Sequence, residues 1–580
     1  MATGSARTPE EAVLCEIVAE LLNLPEAKAD DNFFLLGGDS IVSIQLVSRA
    51  RERGLVLTPR DVFEQKTMAD LARVAGTTPS ETVDESTEAG IGPVPLTPVM
   101  RWLEDLGGPV DGFNQAVLVR VPAGARHHHL TTALQAVLDH HDALRMRLDR
   151  PTGAPWQLEV RPPGAVRAGE QLRQVDVVGL DEPELTRRIT EEGELARRRL
   201  SPADGVMTQC VLFDAGPGQA ARLLLVAHHL VVDGVSWRIL LSDLAAAWEH
   251  AVTGRTPELP PVGTSFRRWA QRLADLADDP ARLDELAYWE AALPQRQVPL
   301  GATPDAGRDT MGTARRLRMT LPAHRTSPLL THVPMVVNGQ VNDVLLTGLA
   351  LAVTTWQRRR GHDDTSDVVV DLESHGRQET PGTDLSRTVG WFTSMYPVRL
   401  APGTVTSGEL RVGGPGVGRA LKRIKEQLRA LPDNGTGFGL LRHLHPEGRA
   451  RLGALPRPQL GFNYLGRVTV APDQDWSFVT TAGPVVAGAD PDVPLSHTLE
   501  LTATCLDGAE GPELVATWTW APTCLSEQDV RELAELWFSS LDALVGYAEQ
   551  QKTGSRSPSD LPLVTLSQSE LDDLEAQWEF

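Results

Sequence analysis

The stretch Leu223-Leu-Leu-Val-Ala-His-His-Leu-Val-Val-Asp-Gly-Val-Ser-Trp237 decides how this chain is read. Its apolar run marks a buried strand, and the strand ends in two adjacent histidines and an Asp-Gly turn. Successive side chains on a strand point to opposite faces, so His228 and His229 cannot both reach one pocket. Past Gly234 the period changes. Trp237, Leu240, Leu241, Leu244 and Trp248 share one face of a helix spanning Val235 to Trp248.

The alternation continues outward. Ala116–Val121, Asp367–Asp371 and Leu499–Cys505 read as strands; Leu130–His140 and Asn342–Trp356 read as helices. The class is mixed α/β, and the length calls for two lobes joined somewhere in Ser265–Leu293. Ahead of this lies Thr77–Gly92, polar and acidic, which reads as a flexible linker. Before the linker, Glu10–Leu22, Ser40–Arg53 and Met68–Val74 are amphipathic and form a small helical bundle. At the far end, Ser567-Gln-Ser-Glu570 has capping-box spacing, and Leu571, Leu574 and Trp578 share a helical face. That helix either docks on a partner or lies on its own domain. The expected division is 8–76, 77–92, 93–268, 269–553 and 554–580.

Composition narrows the function classes. A formal net charge of −22 over 580 residues argues against nucleic acid and against anionic membranes. Cys15, Cys210, Cys505 and Cys524 are scattered, which disfavours zinc ribbons and disulfide frameworks. No apolar run approaches transmembrane length and the N-terminus has no apolar signal core, so the expectation is a cytoplasmic protein.

Two motifs carry chemistry. Leu35-Leu-Gly-Gly-Asp-Ser-Ile-Val-Ser43 is a Gly-Gly turn feeding a helix start, and an attached phosphate on Ser40 would sit at the positive end of that helix. Ordinary capping explains the same residues. With the preceding Asp31-Asn-Phe-Phe34, residues 8–76 resemble the peptidyl carrier proteins of nonribosomal peptide synthetases. The resemblance implies 4′-phosphopantetheine esterified to Ser40, attached by a phosphopantetheinyl transferase.

The histidine stretch also has a bland reading, buried histidines satisfied by backbone; a metal reading lacks a third ligand at a fitting spacing, and none is expected. His127–His129 and His140-His141 read as partly exposed polar positions. His228-His-Leu-Val-Val-Asp-Gly234 matches the H-H-x-x-x-D-G motif of the condensation superfamily, whose members are two-lobed and chloramphenicol-acetyltransferase-like. The resemblance implies that His229 is reactive, that His228 points away, and that Asp233 is structural and paired to Arg145.

Later stretches resemble the epimerization branch of that superfamily. They are Asp371-Leu-Glu-Ser-His-Gly-Arg-Gln378, Thr388-Val-Gly-Trp-Phe-Thr-Ser-Met-Tyr-Pro-Val398, Gly437-Phe-Gly-Leu-Leu-Arg442 and Phe462-Asn-Tyr-Leu-Gly466. Ser374, Gln378 and Phe438 depart from the pattern. Asp before the carrier serine fits carriers that precede such domains. The resemblance runs over residues 93–550. It implies an isomerase that inverts Cα of an L-aminoacyl or L-peptidyl thioester, with His229 and Glu373 exchanging protons and Tyr464 as donor or relay. The implied partners are an upstream adenylation domain and a downstream condensation domain, the latter through the tail. The alternatives are a condensation-type acyl transferase, in which His229 assists amine attack, and a non-catalytic recruiting domain.

Overall fold

In the computed structural model the described residues are 6–22, 24–76, 85, 88–293, 300–362, 366–378, 382–469, 474–479, 486–508, 510–551, 554–560, 568 and 570–571. Most of the capping-box helix expected after Ser567 lies outside them, as does most of the linker.

Four helices form the first unit: α1 (Pro9–Leu21), α2 (Ser40–Glu52), α3 (Pro59–Gln65) and α4 (Met68–Val74). Thr8, Thr58 and Thr67 each accept a hydrogen bond from a first-turn amide, which is why helices start at these points. Their apolar faces meet around Leu14, Ile17, Val18, Phe33, Leu46, Val47 and Leu71. The seven-residue α3 is too short for a periodic signal in sequence.

The first lobe is built on β1 (Asn114–Val121), β2 (Leu172–Asp176), β3 (Thr208–Asp214) and β4 (Ala221–His228), with α5 (His127–His140) and α6 (Gly234–Val252) against the sheet. The second lobe holds β5 (Arg315–Leu321), α7 (Val341–Arg359), β6 (Val368–Ser374), β7 (Ser394–Leu400), α8 (Pro415–Arg429), β8 (Leu460–Thr469), β9 (Val486–Gly488), β10 (Leu499–Gly508), β11 (Gly511–Trp520) and α9 (Glu527–Gln550). Its six strands run in the order β7-β6-β8-β10-β11-β5, with β6, β8 and β10 parallel neighbours. One strand changes lobes: β9 leaves the second lobe and pairs antiparallel with β1, so the first sheet reads β9-β1-β4-β3-β2.

The lobe boundary expected at 268/269 falls later. Helix Phe266–Ala277 buries Phe266, Trp269 and Leu273 in the first core, whereas Leu286 and Trp289 belong to the second. Leu385, Val389, Trp391 and Phe392 also return to the first core from far along the chain. The linker is bound at its described end: Glu85 accepts from the Ser265 amide at 2.7 Å and from Arg268 at 3.2 Å. The described part of the tail is likewise anchored, Asp560 pairing with the buried Lys425 of α8 at 2.7 Å. Among the described residues no single helix is long and apolar enough to cross a membrane.

Candidate active site

The two histidines separate as strand geometry demands, although not by alternation alone. β4 ends at His228, whose ring is buried, with Nε2 against the Val110 carbonyl at 2.7 Å and Nδ1 accepting from the Leu230 amide at 3.2 Å. His229 opens a short 3-10 turn and keeps part of its ring exposed. It stacks on Phe113 at 5.0 Å and 12°, with Trp391 at 4.7 Å on another side. Burial among these rings pulls its pKa down to about 4, so the imidazole is neutral at pH 7.

A hydrogen-bond chain sets its tautomer. Trp237 Nε1 donates to Gln115 Oε1 at 2.9 Å, which leaves the Gln115 amide nitrogen, 2.8 Å from His229 Nε2, as donor. His229 Nε2 therefore offers its lone pair, and the ring proton is on Nδ1. Gln115→Glu replaces that donor by an acceptor carrying charge. The expected result is an imidazole pKa above its ordinary 6.5, read by NMR titration, and a protonated ring at neutral pH. An unchanged titration would mean that Gln115 does not set the tautomer.

Glu373, on the edge-ward side of the second sheet, is partly exposed and takes a hydrogen bond from Asn463 Nδ2 at 2.7 Å. Burial, followed by the negative charges of Glu500 and Asp371, raises its pKa to about 7. A carboxyl in this state holds a proton part of the time at neutral pH.

One buried ion pair ties the two neighbourhoods together. Asp233 caps α6, its Oδ1 accepting from the Ser236 amide at 2.7 Å. Its partner is Arg377, at 3.0 Å, and not Arg145. Arg145 turns instead to the carbonyls of Leu138, Asp139 and Arg161, because its short 3-10 turn points the guanidinium at the end of α5. His229 lies four residues before Asp233 and Glu373 four before Arg377, so the pair clamps both segments. Gly376, at φ +63°, permits the turn between them; a Cβ there would meet the Phe392 carbonyl oxygen at 1.7 Å.

Tyr464 follows Asn463 on β8. Its hydroxyl donates to Cys505 Sγ at 3.6 Å, and burial, then the neighbouring Cys505 and Asp39, push the phenol well above its ordinary pKa. It stays protonated, facing the first unit. His141, expected to be partly exposed, is buried and pairs with Asp243 at 2.9 Å, while His140 meets the Pro260 carbonyl at 2.8 Å.

The helical unit is seated on this face. Arg467 donates from its amide to Asp39 at 3.3 Å and from its guanidinium to the Gly37 carbonyl at 3.3 Å. A side chain at Gly37 would overlap that guanidinium, and φ there is +102°, so glycine is required twice over. Arg238 of α6 reaches Gln45 at 3.1 Å, Arg51 pairs with Asp384, and Arg387 bridges Glu52 and Asp243. Ser40 is the first residue of the 13-residue α2 and follows Asp39, which accepts from the Arg467 amide. The start of α2 is the group that would hold a phosphodiester on Ser40, its amides and dipole favouring negative charge. Arg51→Glu should weaken seating about tenfold or more through like charges at Asp384. Adding Asp384→Arg should recover most of it, measured with the helical unit supplied in trans; no recovery would rule this contact out as a determinant.

The family models match on both units. "Phosphopantetheine attachment site" covers residues 12–75, and "Condensation domain" covers 93–484. The chain belongs to the condensation-domain family. Among relatives of this family, a chondramide synthase of Chondromyces crocatus is 35% identical over 98% of this chain and 14% of that protein. A linear gramicidin synthase protein from Brevibacillus parabrevis is 36% identical over 97% of this chain and 7% of its own length. Tyrocidine synthase 1 of the same organism is 31% identical, over 98% and 51%. The chain thus spans only a fraction of most of these synthases, about half of the last. The epimerization domain from the third module of tyrocidine synthetase B superposes with a TM-score of 0.66 and 28% identity, over 80% of this chain and 98% of that one. The first condensation domain of the calcium-dependent antibiotic synthetase gives 0.54 at 20% identity, over 78% of this chain and 96% of that one, which speaks to the fold alone. This condensation-family chain is therefore a nonribosomal peptide synthetase carrier, with the phosphopantetheine attachment site within residues 12–75, joined to an enzymatic two-lobed domain.

Asn463, Gln115, Arg377 and Trp391 were not singled out in sequence. Asn463 and Arg377 stand inside the quoted motifs, where a carboxyl's need for a hydrogen-bond donor and an aspartate's need for a cation could have flagged them. Gln115 has no such signal, since its partner is 114 positions away.

Proposed function

We propose that this domain epimerizes the aminoacyl or peptidyl residue carried on Ser40, taking the proton from Cα and returning one to the other face. The observation that carries the reading is the buried Asp233–Arg377 pair, which joins the segment of His229, a neutral imidazole beside aromatic rings, to that of Glu373, a carboxyl whose pKa is raised to about 7. The bound pantetheine arm supplies a thioester, whose carbonyl accepts negative charge better than an amide. His229 accepts a proton at Nε2 once the substrate Cα–H takes the place of the Gln115 amide there, Glu373 gives one, and in the reverse direction the roles exchange. Asn463 is the donor beside Glu373, whereas the Tyr464 hydroxyl is given to Cys505. An upstream adenylation domain would load the carrier, a phosphopantetheinyl transferase would modify it, and a condensation domain would consume the D product.

One proton must be shared between two groups, one filled and one empty. Below about pH 4 His229 takes a second proton and no acceptor remains; above about pH 7 Glu373 loses its own and no donor remains. Inversion should therefore fall on both sides of that window. The experiment is solvent deuterium uptake at Cα with Ser40 loaded by a panel of L-aminoacyl and L-dipeptidyl pantetheine thioesters. Uptake with appearance of the D epimer supports the reading. Absence of uptake, with peptide bond formation once a second aminoacyl carrier is added, overturns it in favour of acyl transfer.

A further inference from the structure

The second sheet places Asp371, Gly461 and Glu500 abreast on β6, β8 and β10, since Gly461 is in register with both acids. Two residues farther along the same face stand Glu373, Asn463 and Thr502. His497, in the turn before β10, lays its ring over Gly461. A Cβ at that glycine would come within 2.9 Å of His497 Nδ1, so the missing side chain is the seat of the imidazole.

Both ring nitrogens face carboxylates, Nε2 toward Asp371 Oδ2 at 2.9 Å and Nδ1 toward Glu500 Oε1 at 3.1 Å. An ionised carboxylate only accepts, so both nitrogens donate and the ring is an imidazolium. The residue is 7% exposed. Burial would pull its pKa down, but the bonds to Asp371 and Glu500 carry it up to about 10. Other charges near the row are Arg316 of β5, beside Glu500, and Arg442, near Asp371. Ser496 Oγ completes the set, donating to Glu500 at 2.8 Å.

We infer that His497 is a positioning residue for Glu373: its imidazolium holds Asp371 and Glu500 as a half-neutralised row beneath the working carboxyl, so that Glu373 can both hold and release a proton. The inference rests on the epimerase reading. Without the imidazolium, two carboxylates stand near Glu373 unneutralised, Asp371 about 7 Å away, two residues along the same strand, and Glu500 two strands across. A unit charge at that distance, at an effective dielectric constant of about 20, moves a titration by about 1–2 pH units.

The test is the pH profile of D-epimer formation by the intact, Ser40-loaded chain in wild type, His497→Gln and Glu500→Gln. Removing the cation should make Glu373 keep its proton longer, moving the high-pH limb up by about 1–2 units. Removing Glu500's charge while the cation remains should move the limb down. Opposite movements support the inference, and a downward shift in Glu500→Gln alone supports it where His497→Gln does not fold. Lower rates in both variants with the limb unmoved overturn it, because a purely structural role lowers rate without moving the limb. Wild type that never exchanges, or Glu373→Gln that forms the D epimer as fast as wild type, removes the epimerase reading itself.

Discussion

Replacing Glu373 with glutamine should slow formation of the D epimer by ~10²–10⁴-fold, the usual worth of a positioned proton donor. Glutamine keeps the volume and can still meet Asn463, so the second core is undisturbed. What it removes is the proton, at every pH. His229→Ala should cost a similar factor by removing the acceptor. The two variants should differ in deuterium uptake without inversion. The variant that keeps the base for the L face still exchanges Cα–H with retention, and the other does not. Chiral analysis with mass spectrometry of the released residue reads both quantities. D product formed at the wild-type rate in Glu373→Gln would end the two-group mechanism.

The second large effect concerns stability. Arg377 is 2% exposed and donates to the Leu385 and Thr388 carbonyls, to both oxygens of Asp233 and to Ser236, with its guanidinium 3.9 Å from the Phe392 ring centroid. Arg377→Met leaves Asp233 buried without its cation, a loss of about 3–5 kcal/mol. Asp233→Asn added to it removes the stranded charge and should restore part of the loss. Trp391, beside His229 and in the segment held by this pair, reports the transition by fluorescence in a denaturant titration. If the double variant is as unstable as the two single losses added together, the ion pair is not the clamp.

Several elements were legible because a single physical constraint governs them. The helix Val235–Trp248 showed through its apolar face and was observed as α6, and Met68–Val74 was observed with the bounds expected. Leu223–Leu230 showed as an apolar run, and the strand stops two residues sooner, at His228, because the 3-10 turn begins there. The edge strand β5 was not legible: its Arg315-Arg-Leu-Arg-Met-Thr-Leu321 has one buried residue and little periodic contrast. The lobe boundary escaped for another reason. Residues 385–392 belong to the first core although they lie in the chain of the second, and no local pattern records such a return.

Composition, period and local motifs were enough to establish the two units, while the roles expected of Ser40 and of His229 were what the family resemblance implies. In each case the residues concerned answer to their own neighbours along the chain. It took the folded molecule to show that Asp233 pairs with Arg377 and not with Arg145, that Gln115 fixes the His229 tautomer, and that Asn463 and the His497 row attend Glu373. Those pairings join residues tens to hundreds of positions apart. They are set by strand register and by which buried charge finds a partner, and both are properties of the folded chain alone.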